Sequence, residues 1–218
     1  MKVTRISAQK KSGRYNVEVD GEFWFGLSEV SLSRSGFYSG KDVTSDLLEK
    51  VARDEIFFRV YDRCIGKISR RPHSEKEISR YIRDLFYKNR SKWFKKTSFE
   101  DDSAELEAEI QTEVLGKLIA QKLVSDFDFA QWWIKSRFNS KPRGWMLISQ
   151  ELIKKGVSRE LLNELQVSKE KELDMARRVA EKILKGRNIE RKKIIARLQS
   201  KGFSWDIIEI VVNDCGLE

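Results

Sequence analysis

Chemistry would need carboxylates, imidazoles, thiols or cations gathered at useful spacings, and this chain gathers few. Glu100-Asp101-Asp102 and the pair Asp126 and Asp128 are the clusters a metal-dependent nuclease would use. The first lies in a polar stretch that reads as solvated loop. The second flanks a predicted helix start, where carboxylates favour the positive end of the helix dipole. A nucleophilic site would need His73, the single histidine, which precedes a predicted cap at Ser74 and reads as solvated surface. Cys64 and Cys215 lie in unrelated contexts and read as partly buried free thiols, so no zinc site is expected. Glycines such as Gly116 and Gly156 are isolated or end helices, and none forms a phosphate-cradling loop. The expectation is a binding protein rather than an enzyme, with no metal, cofactor or small-molecule substrate.

Cations interleaved with aromatics are the stronger signal. The formal net charge is +9, which favours contact with a polyanion such as DNA, RNA or an acidic protein surface. Between 129 and 145 the chain carries Phe129, Trp132, Trp133, Lys135, Arg137, Phe138, Lys141, Arg143 and Trp145. Phe129, Trp133 and Phe138 share one helical stripe and read as core. Trp132 and Trp145 fall off it. Each either stacks on bases, fills a partner's pocket or packs against a neighbouring element. A basic residue recurs at one loop position in Arg71, Lys141 and Arg187, and Lys154, Lys155, Arg197 and Lys201 add charge on predicted helices. Spaced cations of this kind are what phosphate binding requires, whereas any one of them alone reads as an ordinary solvated residue. Within an inserted stretch at 86–104, the run Arg90–Lys96, RSKWFKK, reads as a flexible basic arm.

These side chains must be positioned by a repeat. Shifted by 46, Lys155-Gly156-Val157-Ser158 lands on Lys201-Gly202-Phe203-Ser204, Ile148 on Ile194, Leu152 on Leu198, and Leu161, Leu162 and Leu165 on Ile207, Ile208 and Val211. The pattern spells helix, glycine stop, serine cap, helix. Upstream, Arg71-Pro72 through Ile78 and Ile82 match Lys141-Pro142 through Ile148 and Leu152 at a shift of 70, which gives a third and more diverged copy. A period of this size marks a helical repeat array.

The expected fold is therefore mainly α: an elongated, curved array of three tandem three-helix repeats behind a small N-terminal antiparallel β meander. The divisions are 1–44 for the strands and linker, 45–124 for repeat one with an insertion at 86–104, 125–168 for repeat two and 169–218 for repeat three. Asp20-Gly21 between Val17-Glu-Val19 and Phe23-Trp-Phe25 predicts the hairpin. No apolar run is long enough to span a membrane or serve as a signal peptide, so the expected compartment is the cytoplasm and the expected state a monomer.

Three stretches carry a family resemblance: DFDFAQWWIKSRFNSKPRGWMLISQELIKKGVS at 126–158, RRPHSEKEISRYI at 70–82 and IIARLQSKGFSWDIIEIVV at 194–212. Their order and spacing resemble the RecX family of bacterial recombination regulators. Asp126, Phe129 and Ala130 match its repeat opening. Lys141, Pro142, Arg143 and Gly144 match its linker, and Lys155, Gly156 and Val157 its helix stop. The resemblance implies a non-enzymatic modulator that binds the RecA–DNA filament. Such a modulator usually inhibits the filament's ATPase, strand exchange and stimulation of repressor cleavage. The other reading is a RecA-independent DNA-binding repeat protein. Contact candidates are Arg71, Lys141, Arg143, Lys154, Lys155, Arg187, Arg197, Lys201, Trp132 and Trp145, with single- or double-stranded DNA as a weaker partner.

Overall fold

The computed structural model of the chain describes residues 1–94, 103–165, 167–184 and 190–215. They form two compact units, residues 1–71 with 78–123, and residues 72–77 with 124–218. The chain is mainly α, with three-helix repeats behind a small antiparallel sheet.

In the first unit, β1 (Val3–Ala8), β2 (Arg14–Val19) and β3 (Glu22–Ser28) pair antiparallel in that order. Asp20 and Gly21 both take positive φ, 51° and 88°, as the two central residues of a type I′ hairpin must. Alternation sends Val3, Val17, Val19, Phe25 and Leu27 to one buried face. Three strands are marginal alone, and the face is covered by α1 (Glu29–Ser35) and α2 (Ser45–Ile68), capped by Ser28 and Thr44.

A buried ion pair fastens α2 to the sheet. The Glu55 carboxylate accepts from Arg14 at 3.1 Å, Arg59 at 2.7 Å, the Ser28 N–H at 3.0 Å and the Ser28 hydroxyl at 2.9 Å. Burial alone would raise its pKa. Arg59 and the serine hydrogen bonds outweigh that and hold it below the usual range.

The remaining helices of the first unit are α3 (Glu75–Trp93), whose first turn counts with the second unit, and α4 (Ser103–Ala120). Ile78, Ile82, Leu85 and Phe86 of α3 and Leu106, Ile110, Val114 and Leu118 of α4 are buried at helical spacing. The expected basic arm needs correction here. Its first half is the end of α3, and Trp93 and Phe94 are buried with their rings 5.5 and 6.2 Å from Phe86. Residues 95–102, which include the rest of that arm and the acidic cluster Glu100-Asp101-Asp102, lie outside the described residues.

The second unit holds α5 (Asp126–Ser140), α6 (Trp145–Lys154), α7 (Arg159–Glu164), α8 (Lys169–Leu184), α9 (Arg191–Ser200) and α10 (Trp205–Asp214). One core serves both triads. Phe129, Ala130, Ile148, Leu152 and Leu162 from the first are buried with Met175, Ala176, Val179, Ile194, Leu198, Ile207, Ile208 and Val211 from the second. Neither triad could close its own apolar face, which is why the period recurs with the same stripe. Gly156 and Gly202 end α6 and α9 with φ of 102° and 78°, a conformation that costs a side chain about 1–2 kcal/mol.

Trp133 and Phe138, expected in the core with Phe129, pack on it half-buried instead, because the Trp133 indole N–H reaches out to Glu151. His73 is buried rather than solvated, at 5% exposure.

Candidate functional site

Two joints of one design lie in the second unit. In each, the N-terminus of one repeat's second helix meets the Lys-Gly-apolar stop of the next repeat's second helix. At the Gly144 joint, the Gly144 N–H donates to the Lys201 carbonyl at 2.9 Å. A Cβ on Gly144 would sit 1.9 Å from the Gly202 carbonyl oxygen, so only glycine lets the two backbones close. At the Ser74 joint, the Ser74 hydroxyl donates to the Lys155 carbonyl at 2.6 Å while accepting from the Glu77 N–H at 3.1 Å.

A carboxylate completes each joint. Asp126 accepts from the Glu75 N–H at 2.9 Å, and Glu172 accepts from the Trp145 N–H at 2.9 Å. Shifts of 70 and 46 carry Glu75 to Trp145 and Asp126 to Glu172, so the contact is the same one made twice. The acid at this position of each repeat thereby has a structural role. It caps the helix N-terminus of the preceding repeat, where an anion is favoured. Burial pushes the Asp126 carboxyl up against the lowering effect of that bond. Burial and then Asp126 push Glu75 up. No group of three or more His, Cys, Asp or Glu among the described residues could hold a metal ion. Burial drives the Cys64 thiol up to about 12, far from the thiolate a nucleophile needs.

The electrostatics of the joints differ. Lys155 pairs with Glu77 at 2.6 Å, and its ammonium lies 4.3 Å from the Trp133 ring centre and 5.8 Å from that of Phe129. Its counterpart Lys201 has Leu147 where Glu77 would stand, and Leu147 packs against Gly202. Burial, then Arg197, Arg143, Lys182 and Lys141, hold the Lys201 ammonium below its ordinary pKa. Among the described residues no carboxylate lies within ion-pair distance of Lys141, Lys182, Arg197 or Lys201. The nearest compensation is Glu151, which binds Arg143, Arg137 at 2.7 Å and the Trp133 indole at 2.8 Å. Burial would raise Glu151, but these donors hold it below the usual carboxylate range. What remains is a cationic cluster fixed by a backbone joint and suited to multivalent binding of an anion.

The sequence-based candidates divide accordingly. Lys141, Arg143, Arg197 and Lys201 come together. Lys155 is neutralised at the other joint, and Lys154 is exposed on α6 outside the cluster. Arg71 belongs to the first unit, and Arg187 lies outside the described residues. Trp132 and Trp145 pack on the core of the second unit, half-buried. Two residues escaped the sequence reading. Lys182 has no basic counterpart one period away, and Trp205, 56% exposed at the start of α10, matches an arginine at 159. Scoring exposed aromatics next to the glycine stop would have found the second.

The RecX second three-helix domain matches residues 125–165, and the RecX third three-helix domain matches residues 170–212. A regulatory protein RecX of Leuconostoc mesenteroides is 26% identical over 97% of this chain and 75% of its own length. One of Listeria monocytogenes serotype 4b is 29% identical over 100% of this chain and 77% of its own. A crystal structure of a regulatory protein RecX superposes with a TM-score of 0.65 at 23% identity, covering 97% of this chain and 98% of the other. That of RecX from Lactobacillus salivarius gives 0.56 at 20% identity over 74% and 97%. At these identities the two structures speak to the fold alone.

Proposed function

The chain belongs to the RecX family, and we propose that it is a non-enzymatic regulator that binds the RecA–DNA filament and lowers its ATPase, strand-exchange and co-protease activities. The observation that carries this reading is the cationic cluster at the Gly144 joint, held in a chain of that family. A filament groove offers bound DNA and protein side by side, and clustered cations, of which Arg143 alone has a carboxylate partner among the described residues, suit such a surface. Lys141, Arg143, Lys182, Arg197 and Lys201 are assigned the contact. Arg71, Lys154 and Arg187 remain further candidates for contact, and Lys155 contributes structure.

The test is hydrolysis of ATP by the cognate RecA on single-stranded DNA. Adding the chain up to equimolar amounts is expected to lower the rate. An unchanged rate, together with failure to co-sediment with filaments, sinks the proposal. A second reading, a DNA-binding repeat protein that ignores RecA, draws on the same cluster. It predicts equal affinity for bare and RecA-coated DNA, whereas the first predicts preference for the coated form.

A further inference from the structure

We propose that the Gly144 joint is itself a binding site for single-stranded nucleic acid, with Lys141, Lys182, Arg197 and Lys201 on the phosphodiester backbone and Trp205 as the platform for an unpaired base. The inference deepens the reading above by naming the ligand of its cationic cluster. It rests on that reading only in taking the protein to work on nucleic acid.

The two joints make the argument between them. A joint of one plan is built twice, closed on the carbonyl of the stop lysine by a serine hydroxyl at Ser74 and by a backbone N–H at Gly144, and at the Ser74 joint that lysine is satisfied within the chain, by Glu77 and the Trp133 ring. At the Gly144 joint the acid is replaced by Leu147, so the chain keeps like charges together that it has the means to neutralise. Such repulsion persists in a folded joint when a ligand anion relieves it. The cations come from three segments: the loop before α6, the last turn of α8 and the end of α9. A joint fixed by the Gly144–Lys201 hydrogen bond presents them together, and several fixed cations fit a run of phosphates better than a single small anion.

The aromatic decides between strands. Trp205 stands four residues from Lys201 across the Gly202 turn, which limits their Cα separation to about 14 Å. The residue is 56% exposed, and no ring or cation among the described residues stacks on its indole. Tryptophan is rarely left so open, and an open ring beside phosphate-binding cations stacks on bases. Bases offer a face only when unpaired, which selects the single strand.

The experiment uses the full chain without RecA and fluorescein-labelled oligonucleotides: dT30, rU30 and a 30-base-pair duplex, with inorganic polyphosphate as competitor. Lys182 and Arg197 are exposed and make no ion pair among the described residues, so K182E/R197E leaves the fold in place, as circular dichroism will register. That double variant is expected to weaken dT30 binding at least about ten-fold. It should also flatten the salt dependence by ~1.4, the slope of two lost phosphate contacts on a single strand. The control K169E/K171E, an equal charge change on exposed α8 residues outside the joint, is expected to cost less than about two-fold. W205A should lose about five-fold on dT30 and nothing in competition with polyphosphate.

Equal losses from K182E/R197E and its control overturn the site. Duplex binding as tight as dT30 binding, or W205A without effect, overturns the single-strand assignment. The ratio of dT30 to rU30 affinity assigns DNA or RNA as the source. Oligonucleotide binding that persists while RecA hydrolysis is untouched removes the RecA reading and leaves the site standing.

Discussion

The Ser74 and Gly144 joints share one plan and differ in the group that bonds the stop's carbonyl, a serine hydroxyl or a glycine N–H, and in their charge. Both seat a helix N-terminus on the stop of the next repeat's second helix, and both use a carboxylate, Asp126 or Glu172, to hold the first N–H. One then neutralises its lysine with Glu77, and the other surrounds its lysine with cations. The hydrogen bonds that pair the helix N–H with its acid and the stop carbonyl with its donor are demanded by geometry and cannot drift. The side chains around them answer to electrostatics alone and can. A repeat protein thus keeps a joint for stability and specialises one copy for binding.

The comparison breaks most forcefully at its glycines. Gly144→Ala puts a Cβ against backbone atoms, and its expected cost is about 3 kcal/mol or more in urea unfolding. Gly156→Ala meets the Lys76 side chain and a left-handed backbone, for an expected cost of about 1–2 kcal/mol. Equal costs would show that the Gly144 backbone has room to move.

Exchanging the charges comes next. Leu147→Glu supplies the Gly144 joint with the missing acid and is expected to weaken binding of dT30 and of RecA filaments about ten-fold. Glu77→Leu removes the acid at the Ser74 joint and is expected to cost about 1 kcal/mol of stability without loss of binding. If L147E binds as the parent does, the difference in charge has no functional meaning.

The shared part of the design is sharpened by Asp126→Ala and Glu172→Ala. Each leaves a helix N–H without its acceptor, and each is expected to cost about 1 kcal/mol by thermal or urea unfolding. A cost at only one position would deny that the joints are equivalent.

The smallest effect is on pH dependence. Asp126 and Glu75 are both raised above the ordinary carboxylate range, so between that range and their raised values the folded chain holds more protons than the unfolded one. Stability from this pair therefore falls as pH rises through that window. Glu75→Gln removes one of the two carboxyls, and the urea midpoint of the variant is expected to decline less steeply than the parent's over the same pH interval. An identical slope would locate the raised groups elsewhere.

Much of this was legible in the chain. The 46- and 70-residue shifts locate the helix stops, caps and core stripe, because periodic apolar residues and glycines at positive φ act through neighbours one turn away. The Asp-Gly hairpin was legible for the same local reason. His73 was misjudged because a lone loop residue carries no pattern that reports its burial. Trp93 and Phe94 were read as an exposed arm because their cationic neighbours in sequence are not their neighbours in space. Glu77 read only as a capping-box residue, and its ion pair spans 78 residues.

The sequence by itself determined the repeat, the element boundaries set by caps and stops, the overall positive charge and the family resemblance. Each depends on spacing along the chain, which the letters state directly. Only the tertiary structure decided which cations are neutralised and which are left together, and that Asp126 caps the start of α3. Charge acts through distance in space, and at the joints residues far apart in sequence set that distance.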